Sequence, residues 1–302
     1  MLLRSTLTAA SLAFVAMPAF ADPVTIQHAQ GELTLDATPE KVLVMDINTL
    51  DNFAALGLTP AGVPKGNLHG PAAVFDTDEF INVGTLFEPD LEAINAAEAD
   101  LMIVGGRSAR AYPAVSEIVP TIDMSFDNGN LFDDVEKNLT TLGNLFGVED
   151  RAAELVADLQ ARREAVKAAA EGKGTAVVLV TNAGNLGTYG PVSRLGWIFT
   201  DLGFTPLEEN IDDRFHGGDA ISFEYVLERN PDYVFVLDRD AGVGNADNTG
   251  AAAALLDNDL FNQTTAAQNG HVIYLDPYSA YITFGGYNAL VTLTDQIMAG
   301  IQ

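Results

Sequence analysis

An eighteen-residue stretch, Ser222 to Arg239 (SFEYVLERNPDYVFVLDR), recurs without a gap at Asp90 to Arg107 (DLEAINAAEADLMIVGGR). Glu92 aligns with Glu224, Asp100 with Asp232, Val104 with Val236 and Arg107 with Arg239. Each copy opens on a side chain able to cap a helix, Asp90 or Ser222. A short helix follows and breaks at Asp100 or at Pro231-Asp232. Then comes an unbroken apolar run, Leu101 to Val104 or Tyr233 to Val236. Runs with no polar alternation suit parallel strands covered on both faces. Ligands of open α/β sheets bind outside the carboxyl ends of the strands, and both runs lead there into an arginine. Other segments recur in the same order. Leu56-Gly-Leu-Thr-Pro60 returns as Leu202-Gly-Phe-Thr-Pro206, Val42 to Met45 as Val177 to Val180, and Val119 to Met124 loosely as His271 to Asp276. The repeat predicts an α/β fold of two similar lobes, each a parallel sheet flanked by helices, with a ligand cleft between them.

The remaining segments place boundaries around that repeat. Residues 1–21 have a positive start at Arg4, an apolar core from Leu7 to Met17 and the small-residue site Ala19-Phe-Ala21, the pattern of a cleavable secretory signal. No cysteine stands at the cut, so the expected product is exported to the periplasm without a lipid anchor. The chain holds no cysteine anywhere, which excludes disulfides, thiolate metal sites and cysteine nucleophiles. Its formal charge of −27 repels nucleic acid and anionic lipid, so neither is an expected partner. Residues 22–148 form the N-terminal lobe in this reading, opening on a hairpin of Val24 to His28 and Glu32 to Leu35. A helix is expected near Leu50 to Leu56, and residues 61–89, with His69, are expected as rim loops. A helix over 149–171, with Ala152, Leu155, Val156 and Leu159 on one face, links the lobes. At about 1.5 Å per residue it reaches roughly 34 Å and resists bending. Residues 172–302 form the C-terminal lobe, in which the glycine-containing stretch Asn182 to Gly190 reads as a turn at the cleft. It lacks the spacing of a phosphate-binding loop.

Five side chains of the right chemistry fall in predicted cleft loops: Arg107, Arg194, Arg239, His216 and Tyr281. Singly, each has an ordinary alternative. A loop arginine often pairs with a surface acid, a loop histidine can cap a turn, and a tyrosine can pack with its hydroxyl satisfied.

Certain motifs go further. GlyGlyArg107 follows the first-lobe strand, and GlyProValSerArg194 the second-lobe turn. His216-Gly precedes ISFEYVLERNPDYVFVLDR, and Tyr-Leu-Asp276-Pro precedes Tyr281. With these the whole chain resembles the periplasmic ferric-siderophore-binding proteins of ABC importers, most closely the catecholate binders. The resemblance implies that Arg107, Arg194 and Arg239 hold anionic catecholates, and that His216 and Tyr281 are metal ligands when a tetradentate siderophore leaves two iron positions open. It also implies that Glu92 and Glu224 dock the permease, one per lobe. A monomer with no permanent cofactor is expected, carrying ferric iron only as a siderophore complex. The chain departs from the family in two places: Ser279-Ala280 replaces the usual aromatic neighbours of the tyrosine, and Arg214 adds a cation beside His216. Other cargo stays open, namely haem, a hydroxamate siderophore or a corrinoid. The four histidines show no close ligand spacing for free zinc or manganese. An enzyme is disfavoured, since no nucleophile elbow, HExxH or paired-carboxylate motif is present.

Overall fold

A computed structural model describes residues 23–66, 68–211, 217–244 and 250–302. The expected signal peptide, His216 and Arg214 lie outside the described residues. The hairpin stands as expected, β1 (Val24–His28) pairing with β2 (Gly31–Leu35). A first sheet follows, made of β3 (Val42–Val44), β4 (Gly62–Val63), β5 (Ile81–Asn82), β6 (Leu101–Val104) and β7 (Thr121–Asp123). Its order is β5-β4-β3-β6-β7 and every pairing is parallel. Two of these strands lie within residues 61–89, so that stretch is not only rim loop.

The second sheet comprises β8 (Thr175–Asn182), β9 (Asn185–Tyr189), β10 (Thr205–Pro206), β11 (Asp219–Ala220), β12 (Tyr233–Asp238) and β13 (Val272–Tyr274). Parallel pairs β10-β8, β8-β12 and β12-β13 reproduce the order of β4, β3, β6 and β7. Here the structure corrects one reading: Asn182 to Gly190 is mostly strand. β9 folds back antiparallel on β8 and carries β11 on its far side. β8 has eight residues against three in β3. Its first two residues pair with β10 and its last five with β9, so one edge serves both partners.

The repeat is physical as well as textual. Asp100 Oδ2 accepts from Glu40 and Lys41 N–H at 3.0 and 2.7 Å, clasping the approach to β3. Asp232 Oδ2 accepts from Thr175 N–H at 2.8 Å, clasping the start of β8. Glu98 and Asn230, aligned in the repeat, both take a left-handed turn, with φ of 48° and 46°. Alternate residues of the central strands face opposite clusters. Leu101 and Ile103 join the large core while Met102 and Val104 pack outside the first sheet; Phe235 and Leu237 join the large core while Val234 and Val236 pack outside the second. Each such side chain, fully buried, contributes about 1.5–3 kcal/mol, which is why these strands carry no polar alternation.

The linking helix is observed at Glu149–Ala170, 22 residues. Arg163 on it pairs with Asp133 at 2.6 Å on the preceding helix, Leu131–Phe146, and with Asp201 at 2.9 Å in the second lobe. Arg162 pairs with Asp158 on its own helix and with Asp295 on the last helix, Tyr287–Ile301. That last helix packs against the linking helix and also against the first helix, Ile47–Leu56. The final residues therefore reach back to the first lobe as well as completing the second. No helix among the described residues is long and apolar enough to cross a membrane.

Candidate functional site

The sheets bring three arginines to one place. Arg107 leaves β6 through Gly105-Gly106. Gly106 adopts φ of 50°, and Gly105 lies so close to Asp46 that a Cβ would stand 3.0 Å from its carboxyl carbon. Arg239 opens a single helical turn, Arg239–Gly242, capped by Asp238, which accepts from Ala241 N–H at 3.1 Å. Arg194 sits in the turn after β9, where Ser193 Oγ donates to Gly190 O at 2.6 Å. Tyr281 ends the short helix Pro277–Tyr281, which Asp276 caps by accepting from Ser279 N–H at 2.8 Å.

All three guanidinium groups converge on Tyr281, which is 5 % exposed. Their carbons stand 5.7 Å (Arg107), 4.2 Å (Arg194) and 5.1 Å (Arg239) from its ring centroid. Arg107 donates to Tyr281 O at 2.6 Å and to Ile282 O at 2.9 Å. Arg194 donates to Tyr281 O at 2.7 Å and also covers Phe284. Arg239 donates through Nε to Tyr281 Oη at 2.9 Å and through a second nitrogen to Asn182 Oδ1 at 2.8 Å. Arg151, Arg162, Arg163 and Arg229 each pair with a carboxylate, whereas none of these three does among the described residues. In a chain with 42 acidic residues, that is a concentration of positive charge with no directly paired carboxylate among the described residues. Burial pushes the Arg107 guanidinium down to about 10, and the like charge of Arg194 adds to the effect. An anion arriving here relieves that repulsion, and at 6 Å and an effective dielectric of 20 each unit charge pair is worth about 3 kcal/mol. Acids elsewhere on the surface, beyond a Debye length of roughly 8 Å, are largely screened.

Two further residues border the cluster. Tyr278, one turn before Tyr281, accepts at Oη from His69 N–H at 3.1 Å and meets the His69 ring edge-on at 5.1 Å. Burial pushes the Tyr278 hydroxyl up to about 12. Glu92 and Glu224 occupy the first turns of Leu91–Ala96 and Phe223–Arg229, both exposed and equivalent within the repeat. His216 lies outside the described residues. Among those described, no group of three or more His, Cys, Asp or Glu side chains is arranged to hold a metal.

Sequence reading missed Asn182, which fixes Arg239, and a buried polar face on the first helix made by Asn48, Asp51 and Asn52. The second had a signal. Polar side chains at i, i+3 and i+4 on an otherwise apolar helix mark a face that must find partners inside.

The chain as a whole is similar to known proteins. The family model described as periplasmic binding protein matches residues 42–279. The petrobactin-binding protein YclQ of Bacillus subtilis is 31% identical over 286 residues, covering 93% of this chain and 89% of that protein. The ferric-anguibactin-binding protein FatB of Vibrio anguillarum is 30% identical over 286 residues, covering 93% and 88%. Among solved structures, the periplasmic catecholate-siderophore binding protein VctP of Vibrio cholerae superposes with a TM-score of 0.86 at 31% identity, covering 92% of this chain and all of that one.

Proposed function

The chain belongs to the periplasmic binding protein family, and on that premise we propose that it captures a ferric catecholate siderophore between its lobes and delivers it to an ABC importer for iron uptake. The observation that carries this is the convergence of Arg107, Arg194 and Arg239, from both halves of the repeat and the turn between, on Tyr281. A ferric catecholate is anionic, and guanidinium groups offer planar paired donors to paired oxygens. Tyr281 is the iron-facing phenol. Its Oη accepts from Arg239, and a bound hard cation favours the phenolate. His216 supplies the second protein ligand, filling with Tyr281 the two positions a tetradentate siderophore leaves open. Relatives that bind petrobactin and ferric anguibactin support the cargo class. The iron travels as cargo, with no resident cofactor and no turnover. Glu92 and Glu224, one on each copy of the repeat, are the docking points for a two-fold permease. Periplasmic residence follows from the export signal read at residues 1–21.

The test is calorimetric and spectroscopic. Ferric tetradentate and hexadentate catecholates, haem and a ferric hydroxamate are titrated into the purified protein. Stoichiometric heat with ferric catecholates and unchanged recovered ligand are expected. With the tetradentate complex a phenolate-to-iron absorption band appears, and Tyr281→Phe removes it. No heat with either catecholate, or preferential binding of haem, overturns the proposal.

A further inference from the structure

The stretch immediately after Tyr281 is held by the opposite lobe. Asn48 Oδ1 accepts from Gly285 N–H at 3.1 Å, Asn52 Oδ1 from Tyr287 N–H at 2.9 Å, and Asp51 Oδ2 from Asn288 N–H at 2.7 Å. Asn288 returns a bond through Nδ2 to Asp51 O at 3.1 Å. All three holding side chains lie on the first helix and are no more than 3 % exposed. Asp46, the cap of that helix, accepts from Asn48 Nδ2 at 3.2 Å and fixes which end of the amide meets Gly285. Two glycines make the approach possible. A Cβ on Gly286 would stand 2.4 Å from Asp51 Oδ2, and one on Gly285 would stand 2.0 Å from the Phe126 ring.

We propose that Asn48, Asp51 and Asn52 are positioning residues that clamp Gly285 to Asn288 and thereby set where Tyr281 stands against the three arginines, so that they govern siderophore affinity without touching the ligand. This rests on the reading of Tyr281 as the iron-facing phenol. The geometry gives the clamp its leverage. Tyr281 is fixed upstream by a helix of only five residues, while downstream just three residues separate it from Gly285. Arg107, on the same lobe as the clamp, grips the main chain at Tyr281 O and Ile282 O. The clamp and Arg107 thus hold one continuous segment of the other lobe from both ends. Removing the clamp frees the segment to slide relative to Arg107. A purely structural contact between helices would be served by apolar packing, whereas directional acceptors fix the segment's register. Burial pushes the Asp51 carboxyl up to about 7, so the clamp keeps an ionisable group at a position where its charge is costly. Perturbed groups of this kind concentrate at functional sites.

The experiment uses the mature chain and, as probe, the iron(III) complex of a tetradentate bis-catecholamide. Kd and the energy of the phenolate-to-iron band are measured for Asn48→Ala, Asp51→Ala, Asp51→Asn and Tyr281→Phe. Asn48→Ala and Asp51→Ala are expected to raise Kd about tenfold and to move or broaden the band, and Asp51→Asn to recover Kd to within about threefold. Asn48→Ala removes a neutral amide and no charge, so it decides the matter if Asp51→Ala does not fold. Folded Asn48→Ala protein with wild-type Kd and an unmoved band overturns the positioning role. A band that persists in Tyr281→Phe instead removes the premise, and the proposal falls with it.

Discussion

Asp51→Asn isolates the energetic consequence of burying one carboxylate. Asp51 is 1 % exposed, its hydrogen-bond partners among the described residues are amides, and burial pushes it from an ordinary 3.8 up to about 7. Because the folded value is the higher one, the native state holds the proton more tightly than the unfolded chain. Stability from this group is full below about pH 4 and is lost as pH rises through about 7. From pH 5.5 to the folded value is a pH unit and a half, and at about 1.4 kcal/mol per unit the wild type loses about 2 kcal/mol by pH 8.5. An asparagine has no proton to lose. The stability of Asp51→Asn relative to wild type should therefore rise by about 2 kcal/mol between pH 5.5 and pH 8.5. Asp201, raised to about 6 by burial against the opposing pull of Arg163, also sheds stability with rising pH. It is present in both proteins and cancels in the difference. Urea unfolding followed by circular dichroism at the two pH values gives the measurement. A difference that stays constant within about 0.5 kcal/mol would refute the assignment of a protonated, charge-averse Asp51.

Three other outcomes are expected. Arg239→Met should raise the Kd for a ferric catecholate about a hundredfold, from the loss of about 3 kcal/mol of charge attraction, and calorimetry reads it directly; a change under threefold would place the anion elsewhere. Gly286→Ala drives a methyl against Asp51 Oδ2, where a Cβ has 2.4 Å, and should cost about 1–3 kcal/mol in urea unfolding. Glu92→Ala combined with Glu224→Ala should leave Kd within twofold and abolish iron uptake through the importer; normal uptake would locate docking on other residues.

The repeat was the most informative feature of the chain. It gave β6 and β12 their first residues, Leu101 and Tyr233, although β12 runs on to Asp238, and it placed Arg107 and Arg239 beyond them, because parallel buried strands have only one pattern to offer. Helix ends with a strong stop were equally legible. The helix expected near Leu50 to Leu56 ends at Leu56 and closes on left-handed Gly57. β9 was hidden because its residues, Asn185-Leu-Gly-Thr-Tyr189, include a glycine and read as turn chemistry. Its strand state comes from the long exposed edge of β8, which is tertiary information. Residue types singled out the three arginines and Tyr281 that the structure brings together, but not that Arg107 and Arg194 would seat on the carbonyl of Tyr281. The Asn48 clamp joins residues 237 positions apart, a pairing that no local pattern encodes.

The two larger sheets end in very little. The outermost strands, β5 and β7 on the first and β11 and β13 on the second, have two, three, two and three residues among those described. A neighbouring polypeptide seeking to extend either sheet finds at most a bond or two before the ladder runs out. Long edges are the usual template for runaway assembly, and the molecule offers none there. A net charge of −27 adds mutual repulsion. Copies built this way resist edge-to-edge pairing even when they are crowded together.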